Sequence, residues 1–375
     1  MLTKLAFDRD AMLVDLKGWI ECESPTFDAN AVNRMMDLAS YELAVAGCEI
    51  ERIAGRMGFG DVIRARIPHD DAGQPGILIA GHMDTVHPLG TITKNPWRCD
   101  GGYCYGPGIL DMKGGNYVAV DAVRKIAQAG LTTPLPVTIL FTPDEEVGTP
   151  STRELIEAEA LKNKFVLVPE PAQDNGRAST GRYAIARFNV RATGQPSHAG
   201  ARLGDGRSAI SAMARKILEI ESMTSGDCTF SVGVIHAGQW VNCVSSFCEA
   251  EVLSMAKKQR DLDNGINRML AQSGDFNGVA IEVVRGVTRP VWEPDAGTMA
   301  LFNSAREICQ EIGFNLDHQS SGGGSDGNFS GAMGIPTLDS IGVRGKGGHT
   351  LNEYIEIDSL TERAQLIAEL LLRLK

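Results

Sequence analysis

The chain has 375 residues, 43% of them hydrophobic and 22% charged, and a formal net charge of −11 at pH 7. This length exceeds that of most single domains, so two domains are expected. An acidic chain without any basic block is not expected to bind nucleic acid or an anionic membrane surface. Since no apolar stretch approaches a membrane span and no clean secretory signal opens the chain, we predict a soluble cytoplasmic protein without a membrane partner.

The eight cysteines are scattered along the chain and form no Cys-x-x-Cys pair. In a chain of this length, that spacing is typical of reduced thiols in a cytosolic protein. We therefore expect every cysteine to be reduced, including Cys99 and Cys104.

The first 180 or so residues alternate between helical and strand-like patterns. Predicted helices cover 9–21 and 112–129, and short apolar runs typical of buried strands cover 77–80, 136–141 and 165–168. Such alternation favours an α/β fold with a mainly parallel sheet and helices on both faces.

The middle of the chain follows another pattern. Its elements, in order, are a strand at 183–193, a helix at 207–222, strands at 229–236 and 246–256, a helix at 261–272 and a strand at 279–285. This β-α-β-β-α-β order predicts a separate, smaller α/β sandwich. From about residue 292 the first pattern resumes, with elements at 296–312 (helix), 335–339 (strand) and 359–374 (helix).

The simplest arrangement is a domain built from both ends of the chain and interrupted by an inserted one. We place the catalytic domain at 1–182 and 291–375 and the inserted lid or dimerisation domain at 183–290. The sequences Ser151–Glu154 and Ser359–Glu362 have the Ser-x-x-Glu form of a capping box, and each predicts a helix start.

Chemically active side chains follow the predicted strands in four places. The four segments are Gly81–Val86, Gly106–Gly115, Asp144–Gly148 and Glu170–Pro171. In an open parallel sheet, ligands bind beyond the carboxyl ends of the strands, so these segments are expected to meet in one crevice. A single strand-end histidine or Glu-Glu pair is usually an ordinary surface feature, but four such motifs together are far more specific.

The crevice would combine imidazoles with several carboxylates, a ligand set suited to zinc, manganese or cobalt. Carboxylates clustered without cations repel one another, whereas two divalent ions would supply a bridging hydroxide and a Lewis acid for a carbonyl. One carboxylate of the Glu145–Glu146 pair could bind metal while the other takes a proton from the bridging water. Asp84 could accept the second ring N–H of His82 and orient the ring.

Seven segments together resemble the metallopeptidase family of carboxypeptidase G, acetylornithine deacetylase, succinyl-diaminopimelate desuccinylase and aminoacylase, over about residue 75 to the C-terminus. They are GHMDTV (81–86), GPGILDMKGG (106–115), TPDEEVG (142–148), PEP (169–171), SHAG (197–200), GGGSDG (322–327) and GGHTLNEY (347–354). YGPGILDMKGGN and GGGSDG are most similar to the carboxypeptidase G (glutamate carboxypeptidase) branch.

This resemblance implies two divalent metal ions per chain, most simply zinc, with cobalt or manganese as alternatives. His82 and Glu170 would bind one ion, Glu146 and His349 would bind the second, and Asp111 would bridge both.

The resemblance also implies the catalytic groups. Glu145 would be the general base and then the proton donor to the leaving amine, and Asp84 would orient His82. His198 would reach the site of a neighbouring subunit and help to hold the oxyanion. The active form would then be a homodimer joined through the inserted domain, with the strands at 183–193 and 229–236 pairing edge to edge.

For the substrate, the resemblance implies a carboxylate held by Arg289, with Asn242 also pointing to the site. The backbone of Gly323, Gly324 and Ser325 would approach the substrate closely, unless this segment is only a flexible loop. The residues expected here are substrate-binding Arg289, Asn242, Gly323, Gly324 and Ser325.

Two departures from the resemblance bear on specificity. Met255 stands where relatives carry a second arginine, and Cys243 replaces the usual proline after Asn242. Both favour a less acidic or more apolar substrate than a glutamate-terminal folate analogue. His87 and Trp97 follow the first motif and could shape the pocket.

The function predicted is a dinuclear, zinc-dependent hydrolase that cleaves an amide bond of a small N-acyl amino acid or peptide with a carboxylate. Two alternatives remain: an aminopeptidase or dipeptidase with the same chemistry, and a metal-binding protein that has lost catalysis. A serine hydrolase is disfavoured, because the Gly-x-Ser-x-Gly form occurs only at Gly323–Gly327, within a segment that already belongs to the metallopeptidase resemblance.

Overall fold

The computed structural model describes residues 2–375, and the chain forms two compact units. Unit 1 comprises the chain up to Gly181 together with Glu293–Ser321 and Ser325–Lys375, whereas unit 2 comprises Arg182–Trp292 and Gly322–Gly324. The assignment of Gly322–Gly324 to unit 2 differs from the predicted division at 183–290.

The described part of the chain contains ten α-helices. They are α1 (Arg9–Glu21), α2 (Ala29–Val45), α3 (Thr91–Lys94), α4 (Gly114–Gln128), α5 (Arg153–Ala160), α6 (Ala209–Glu221), α7 (Gln259–Leu270), α8 (Ala296–Ile312), α9 (Gly327–Ala332) and α10 (Asp358–Arg373). Of these, α6 and α7 belong to unit 2.

Seventeen strands make up three sheets within residues 2–375. They are β1 (Glu49–Ile53), β2 (Val62–Arg66), β3 (Gly76–His82), β4 (Arg98–Asp100), β5 (Tyr103–Tyr105), β6 (Val137–Thr142), β7 (Asn163–Val168), β8 (Ala178–Arg182), β9 (Ala184–Thr193), β10 (Cys228–Ala237), β11 (Phe247–Ala256), β12 (Gly274–Phe276), β13 (Val279–Arg289), β14 (His318–Ser321), β15 (Thr337–Asp339), β16 (Gly345–Lys346) and β17 (Tyr354–Glu356).

The large sheet of unit 1 has eight strands in the order β1-β2-β6-β3-β7-β15-β8-β14. Its centre is parallel, because β3 pairs in parallel with β6 and β7, and β7 pairs in parallel with β15. The flanking pairs β2–β6 and β15–β8 are antiparallel. The α/β fold class is confirmed, with a mixed rather than mainly parallel sheet.

Both faces of the central strands are covered, as the continuous apolar run of β3 predicts. Ile77 and Ile79 of β3 enter a core with residues of α1, α2, α4, α8 and α10. Leu78 and Ala80, which point to the other face, pack in a second core with residues of α5 and α9. The carboxyl ends of β3, β6 and β7 therefore meet at one edge of a buried sheet, where the chemical motifs begin.

Unit 2 is a two-layer α/β domain with a fully antiparallel sheet in the order β10-β11-β9-β13-β12. One face of β9 is buried beneath α6 and α7 through Ala184, Ala186 and Phe188. The expectation that strand 183–193 offers a free edge is wrong, because β9 is paired on both sides. Of the two strands expected to pair between subunits, β10 is the one that lies at an edge of the sheet.

Neither predicted capping box forms. Helix α5 begins at Arg153 after Thr152, with no side-chain cap, and α10 begins at Asp358 after Ile357. The hydroxyl of Ser359, in the first turn of α10, instead donates to the carbonyl of Glu356 at 2.6 Å.

Cys99 and Cys104 form a disulfide across the β4–β5 hairpin, which corrects the expectation that all eight cysteines are reduced. Their register as directly opposite residues on paired strands brings the two side chains together, a proximity that their spacing alone does not reveal. Over residues 2–375, no helix combines the length and the apolar character needed to cross a bilayer.

Candidate active site

His82 is the last residue of β3, and acidic side chains surround its ring. Its ring is almost completely buried (1% exposed), and Nδ1 lies 3.0 Å from the backbone carbonyl of Asp84, to which it donates. The other ring nitrogen, Nε2, has no hydrogen-bond partner within residues 2–375. Carboxylate oxygens of Asp111, Glu170 and Glu145 lie 3.3, 3.7 and 3.9 Å from Nε2. In a neutral ring this nitrogen is a lone pair facing carboxylates, an arrangement that only a proton or a cation relieves.

His349 approaches the same carboxylates from the C-terminal segment. Its Nε2 lies 3.1 Å from Asp111 Oδ2 and 3.2 Å from Glu146 Oε2. The residue has a positive φ of 64°, which is uncommon outside glycine. Nearby Gly347 also has a positive φ, of 83°, and a Cβ there would lie 2.6 Å from the carbonyl oxygen of Asn352. This turn therefore requires glycine at 347 in order to hold His349 over the carboxylates.

Asp111 lies between the two imidazoles. Its Oδ1 faces His82 and its Oδ2 faces His349, so one carboxylate contacts both rings. Ligand atoms of His82, Asp111 and Glu146 lie within 4.8 Å of one another, as do those of His82, Glu145 and Glu170. The structure thus brings the five predicted ligands and the predicted base together in unit 1.

Asp84 makes more hydrogen bonds than the sequence predicts. Its carboxylate is completely buried and lies 3.3 Å from His82 Nδ1. It also accepts the backbone N–H groups of Glu145 at 3.2 Å and Glu146 at 3.3 Å, and the hydroxyl of Thr26 at 2.8 Å. Asp84 therefore fixes the turn that carries both glutamates, in addition to lying beside the ring of His82.

The approach of α4 to the strand ends depends on a glycine. A Cβ at Gly115 would lie 1.7 Å from the carbonyl oxygen of Pro169, the residue before Glu170. Asn116, in the first turn of α4, donates to the carbonyl of His82 at 2.6 Å. The Gly114–Gly115–Asn116 sequence thus lets the helix start directly against two ligand-bearing strand ends.

Two predicted site residues lie together in unit 2. The backbone carbonyl of Asn242 accepts the N–H of Ala199 at 2.9 Å, which fixes the loop of His198. Nδ1 of His198 accepts the N–H groups of Gly200 at 3.1 Å and Ala201 at 3.0 Å. An accepting Nδ1 places the ring proton of the neutral tautomer on Nε2, so His198 offers an exposed donor.

The glycine-rich segment is divided between the units. Within unit 2, a Cβ at Gly324 would lie 2.6 Å from the side chain of Ile185 and 2.7 Å from that of Arg289, so close backbone approach is required there. Ser325 belongs to unit 1, where its buried hydroxyl donates to the carboxylate of Asp339. The Ser325 hydroxyl is therefore engaged within unit 1, and the expected approach of the Ser325 backbone to a substrate stays a prediction.

The pKa values in this cluster are shifted because several acidic side chains are buried close together. Burial and the charge of Asp111 raise the pKa of Glu146 to about 8, and burial raises the pKa of Glu170 well above its ordinary value. Contacts with Asp111 and Glu146 raise the pKa of His349 to about 11. Burial opposes protonation of His82, but the carboxylates beside it prevail and raise its pKa. Among the described residues, protons on these groups thus offset the negative charge of the carboxylates.

The positions and chemistry of these residues suit divalent metal ions. A buried imidazole nitrogen without a hydrogen-bond partner, a second imidazole, and carboxylates forced toward protonation form a donor set that a cation would satisfy. Binding at His82, Asp111, Glu146, Glu170 and His349 would replace protons by metal charge.

The sequence profile of Peptidase family M20/M25/M40 matches residues 78–373. The chain belongs to this peptidase family. As an M20-family chain it is a member of a metallopeptidase family, whose enzymes are metal-dependent hydrolases, and the resemblance found in the sequence is confirmed.

Individual relatives of this M20-family chain are consistent with the family assignment. It is 28% identical over 376 residues to carboxypeptidase G2 of Pseudomonas sp., covering 98% of this chain and 90% of the relative. It is 32% identical over 194 residues to acetylornithine deacetylase of Yersinia pseudotuberculosis, covering 47% and 48%. A solved M20 family metallo-carboxypeptidase from Sulfolobus solfataricus shares the fold, with a TM-score of 0.72, 16% identity, and coverage of 98% and 99%.

Metal binding by this M20-family chain should strengthen as the pH rises from about 6 to about 8. The pKa of Glu146 is raised from 4.5 to about 8 and that of His349 from 6.5 to about 11, so both hold protons that a metal must displace. Groups with raised pKa values stabilise the metal-free fold at low pH, and this stabilisation is lost as the pH rises through those pKa values.

Melting temperatures with a chelator and with saturating zinc, measured at several pH values in that window, test this expectation. The increase in Tm caused by zinc should grow with pH. An increase that shrinks toward higher pH would show that these protonated ligands are not the ones that zinc displaces.

Proposed function

We propose that this M20-family chain is a dinuclear, zinc-dependent hydrolase of an amide bond in a small N-acyl amino acid or peptide that carries a carboxylate. The observation that carries the proposal is the position of Asp111, 3.3 Å from His82 and 3.1 Å from His349. A carboxylate between two imidazoles is the arrangement that a bridging ligand of two ions needs.

His82 and Glu170 would hold one ion, Glu146 and His349 would hold the other, and Asp111 would contact both. When bound, the ions supply a Lewis acid for the scissile carbonyl and lower the pKa of water. Cobalt or manganese could replace zinc, since nitrogen and oxygen ligands of this kind accept all three metals.

Glu145 is the general base in this proposal. Its backbone is anchored by Asp84 and its side chain is 9% exposed, so it can face a substrate in the crevice without reorganising. It takes the proton of the attacking water, holds that proton as the tetrahedral species forms, and returns it to the leaving nitrogen. Glu145 also lies close enough to His82 and Glu170 to serve as a metal ligand instead. A Glu145 variant that loses metal would show that reading to be right.

The carboxylate of the substrate is assigned to Arg289, which ends β13 in unit 2 and is almost completely buried. A rigid guanidinium fork suits a carboxylate. Two neighbours on the adjoining strands are apolar: Ile185 is paired in register with both Arg289 and Met255, and the side chain of Met255 lies next to Gly322. These neighbours support a substrate whose second recognised group is apolar rather than acidic.

A panel of substrates tests the proposed class. N-acetyl amino acids with apolar and acidic side chains, dipeptides, and acyl-glutamates would be offered to protein reconstituted with zinc, cobalt or manganese. We expect cleavage that requires metal and a free substrate carboxylate, with apolar N-acyl amino acids preferred. A preference for unblocked dipeptides would favour the aminopeptidase or dipeptidase alternative, and a cytoplasmic location stays a prediction in either case.

A homodimer through unit 2 is part of the proposal. The edge strand β10 and the loop that follows it carry exposed apolar side chains at Ile235 (49% exposed), Trp240 (72%) and Val241 (fully exposed). An unpaired edge strand with exposed apolar groups favours pairing with a second copy. His198 would then act in the partner's site, where its exposed Nε2–H is a donor for the oxyanion.

Subunit mixing tests this arrangement. His198→Ala and Glu145→Gln would each be nearly inactive alone, but in a mixed dimer one site combines an intact Glu145 with an intact His198 from the partner. Co-refolded or subunit-exchanged mixtures should regain about one quarter of wild-type activity, since half of the dimers are mixed and half of their sites are complete. Recovery no greater than the sum of the two variants would show that His198 acts within its own chain or not at all.

A further inference from the structure

Glu353 has a buried carboxylate whose partners lie almost entirely in one distant turn. It is completely buried. Its Oε1 accepts the backbone N–H groups of Leu110 at 2.8 Å and Asp111 at 2.9 Å, and its Oε2 accepts the N–H of Gly108 at 2.8 Å. The fourth partner is the ring of His87, whose Nε2 lies 2.7 Å from Oε2.

A carboxylate matches this set of partners. It accepts at both oxygens and has no hydrogen to direct at the three backbone N–H groups, whereas an amide would place its own N–H₂ against one of them. His87 must then donate from Nε2, which defines its tautomer in this network. His87 is itself buried, so it has a defined task distinct from lining a pocket.

Glu353 also belongs to the segment that carries the other ligand. It follows His349 by four residues and directly precedes β17, which pairs with β5, the strand that leads into the Gly108–Asp111 turn. His349 is exposed (55%) and has strained backbone, so the short His349 segment needs a fixed point nearby. The Glu353 carboxylate joins the turn that holds Asp111 to the turn that holds His349.

We propose that Glu353, supported by His87, is a positioning residue that sets the distance between Asp111 and His349 and so the affinity for the ion these two ligands share. This inference rests on the proposed metal-dependent function. Groups that orient metal ligands typically change metal affinity by about 10–100-fold when they are altered. The ion held by His82 and Glu170 should depend on Glu353 much less.

Glu353→Gln tests the proposal, with Glu356→Gln as the matched control. Glu356 lies three residues further along, and its variant loses an ion pair with Arg344 (2.7 Å). Titration with zinc against a chromophoric chelator resolves the two binding steps. For Glu353→Gln we expect one binding step to lose about 10–100-fold in affinity and the other to change little, with both steps unchanged in Glu356→Gln.

Two variants of His87 keep the test decisive if Glu353→Gln does not fold. His87→Gln retains an N–H donor near the position of Nε2, and His87→Phe retains the volume without the donor. We expect His87→Phe to weaken the same binding step by about tenfold and His87→Gln to keep most of its affinity.

The outcomes separate the two proposals. A wild-type protein that binds no zinc overturns the proposed function itself. A wild type that binds two ions, together with a Glu353→Gln or a His87→Phe variant that folds and titrates like it, overturns the positioning role alone.

Discussion

Glu145→Gln should lower turnover by about 10²–10⁴-fold while the protein keeps its full metal content. Glutamine has the shape of glutamate but cannot accept the proton of the attacking water or return it to the leaving nitrogen. The backbone N–H of Glu145 remains bound to Asp84, so the turn itself should not move. Steady-state kinetics and metal analysis on the same preparation measure the two quantities together.

The neighbouring Glu146→Gln is the matched control. It makes the same chemical change one residue further along, on a side chain that lies 3.2 Å from His349 Nε2. We expect this variant to bind metal less tightly and to recover part of its activity when excess zinc is added. If Glu145→Gln loses metal and Glu146→Gln does not, the roles of base and ligand are reversed.

Asp84→Asn should lower turnover by about 100-fold and also lower the melting temperature. The carboxylate of Asp84 accepts two backbone N–H groups and the hydroxyl of Thr26. The N–H₂ group of an asparagine would face one of these donors, and an unsatisfied buried polar group costs about 1–3 kcal/mol. The turn with both glutamates would then shift.

Thr26→Val provides the graded comparison for this prediction. It removes one donor to Asp84 and leaves the carboxylate and both backbone contacts intact. Turnover and thermal melting should change in the same direction by a smaller amount. Equal effects of the two variants would mean that Asp84 does not act by holding the turn of Glu145 and Glu146.

The strongest elements of the fold follow from local patterns. The continuous apolar runs predicted β3, β6 and β7, and the helical spacing predicted α1 and α8 at the bounds observed. These segments are long or fully buried, so burial alone decides their structure.

Other elements could not be predicted in this way. The short polar strands β4 and β5 exist because β17 pairs with β5, a contact between residues about 250 positions apart. Helix α2 was not predicted, although its buried residues Val32, Met35, Met36 and Ala39 have helical spacing. The pairing of β9 on both sides likewise depends on tertiary contacts.

For the site, the sequence points to groups that carry chemistry and misses those that position them. His82 and Asp111 are recognisable from the motifs that follow the predicted strands, whereas His349 is recognisable only through the resemblance to the metallopeptidase family. Glu353 and Thr26 act through hydrogen bonds to segments far away in the sequence. The only sequence signal was the presence of Glu353 in GGHTLNEY, which gives no indication of its partners.

The central claim is that one cluster of imidazoles and carboxylates holds two ions and that amide cleavage depends on them. Equilibrium dialysis against zinc, followed by elemental analysis and an amide-hydrolysis assay on the same sample, tests it most directly. We expect about two ions per chain, with activity that disappears on chelation and returns when zinc is restored. A protein that retains no zinc after dialysis, or that cleaves amides equally well with a chelator present, would contradict the claim.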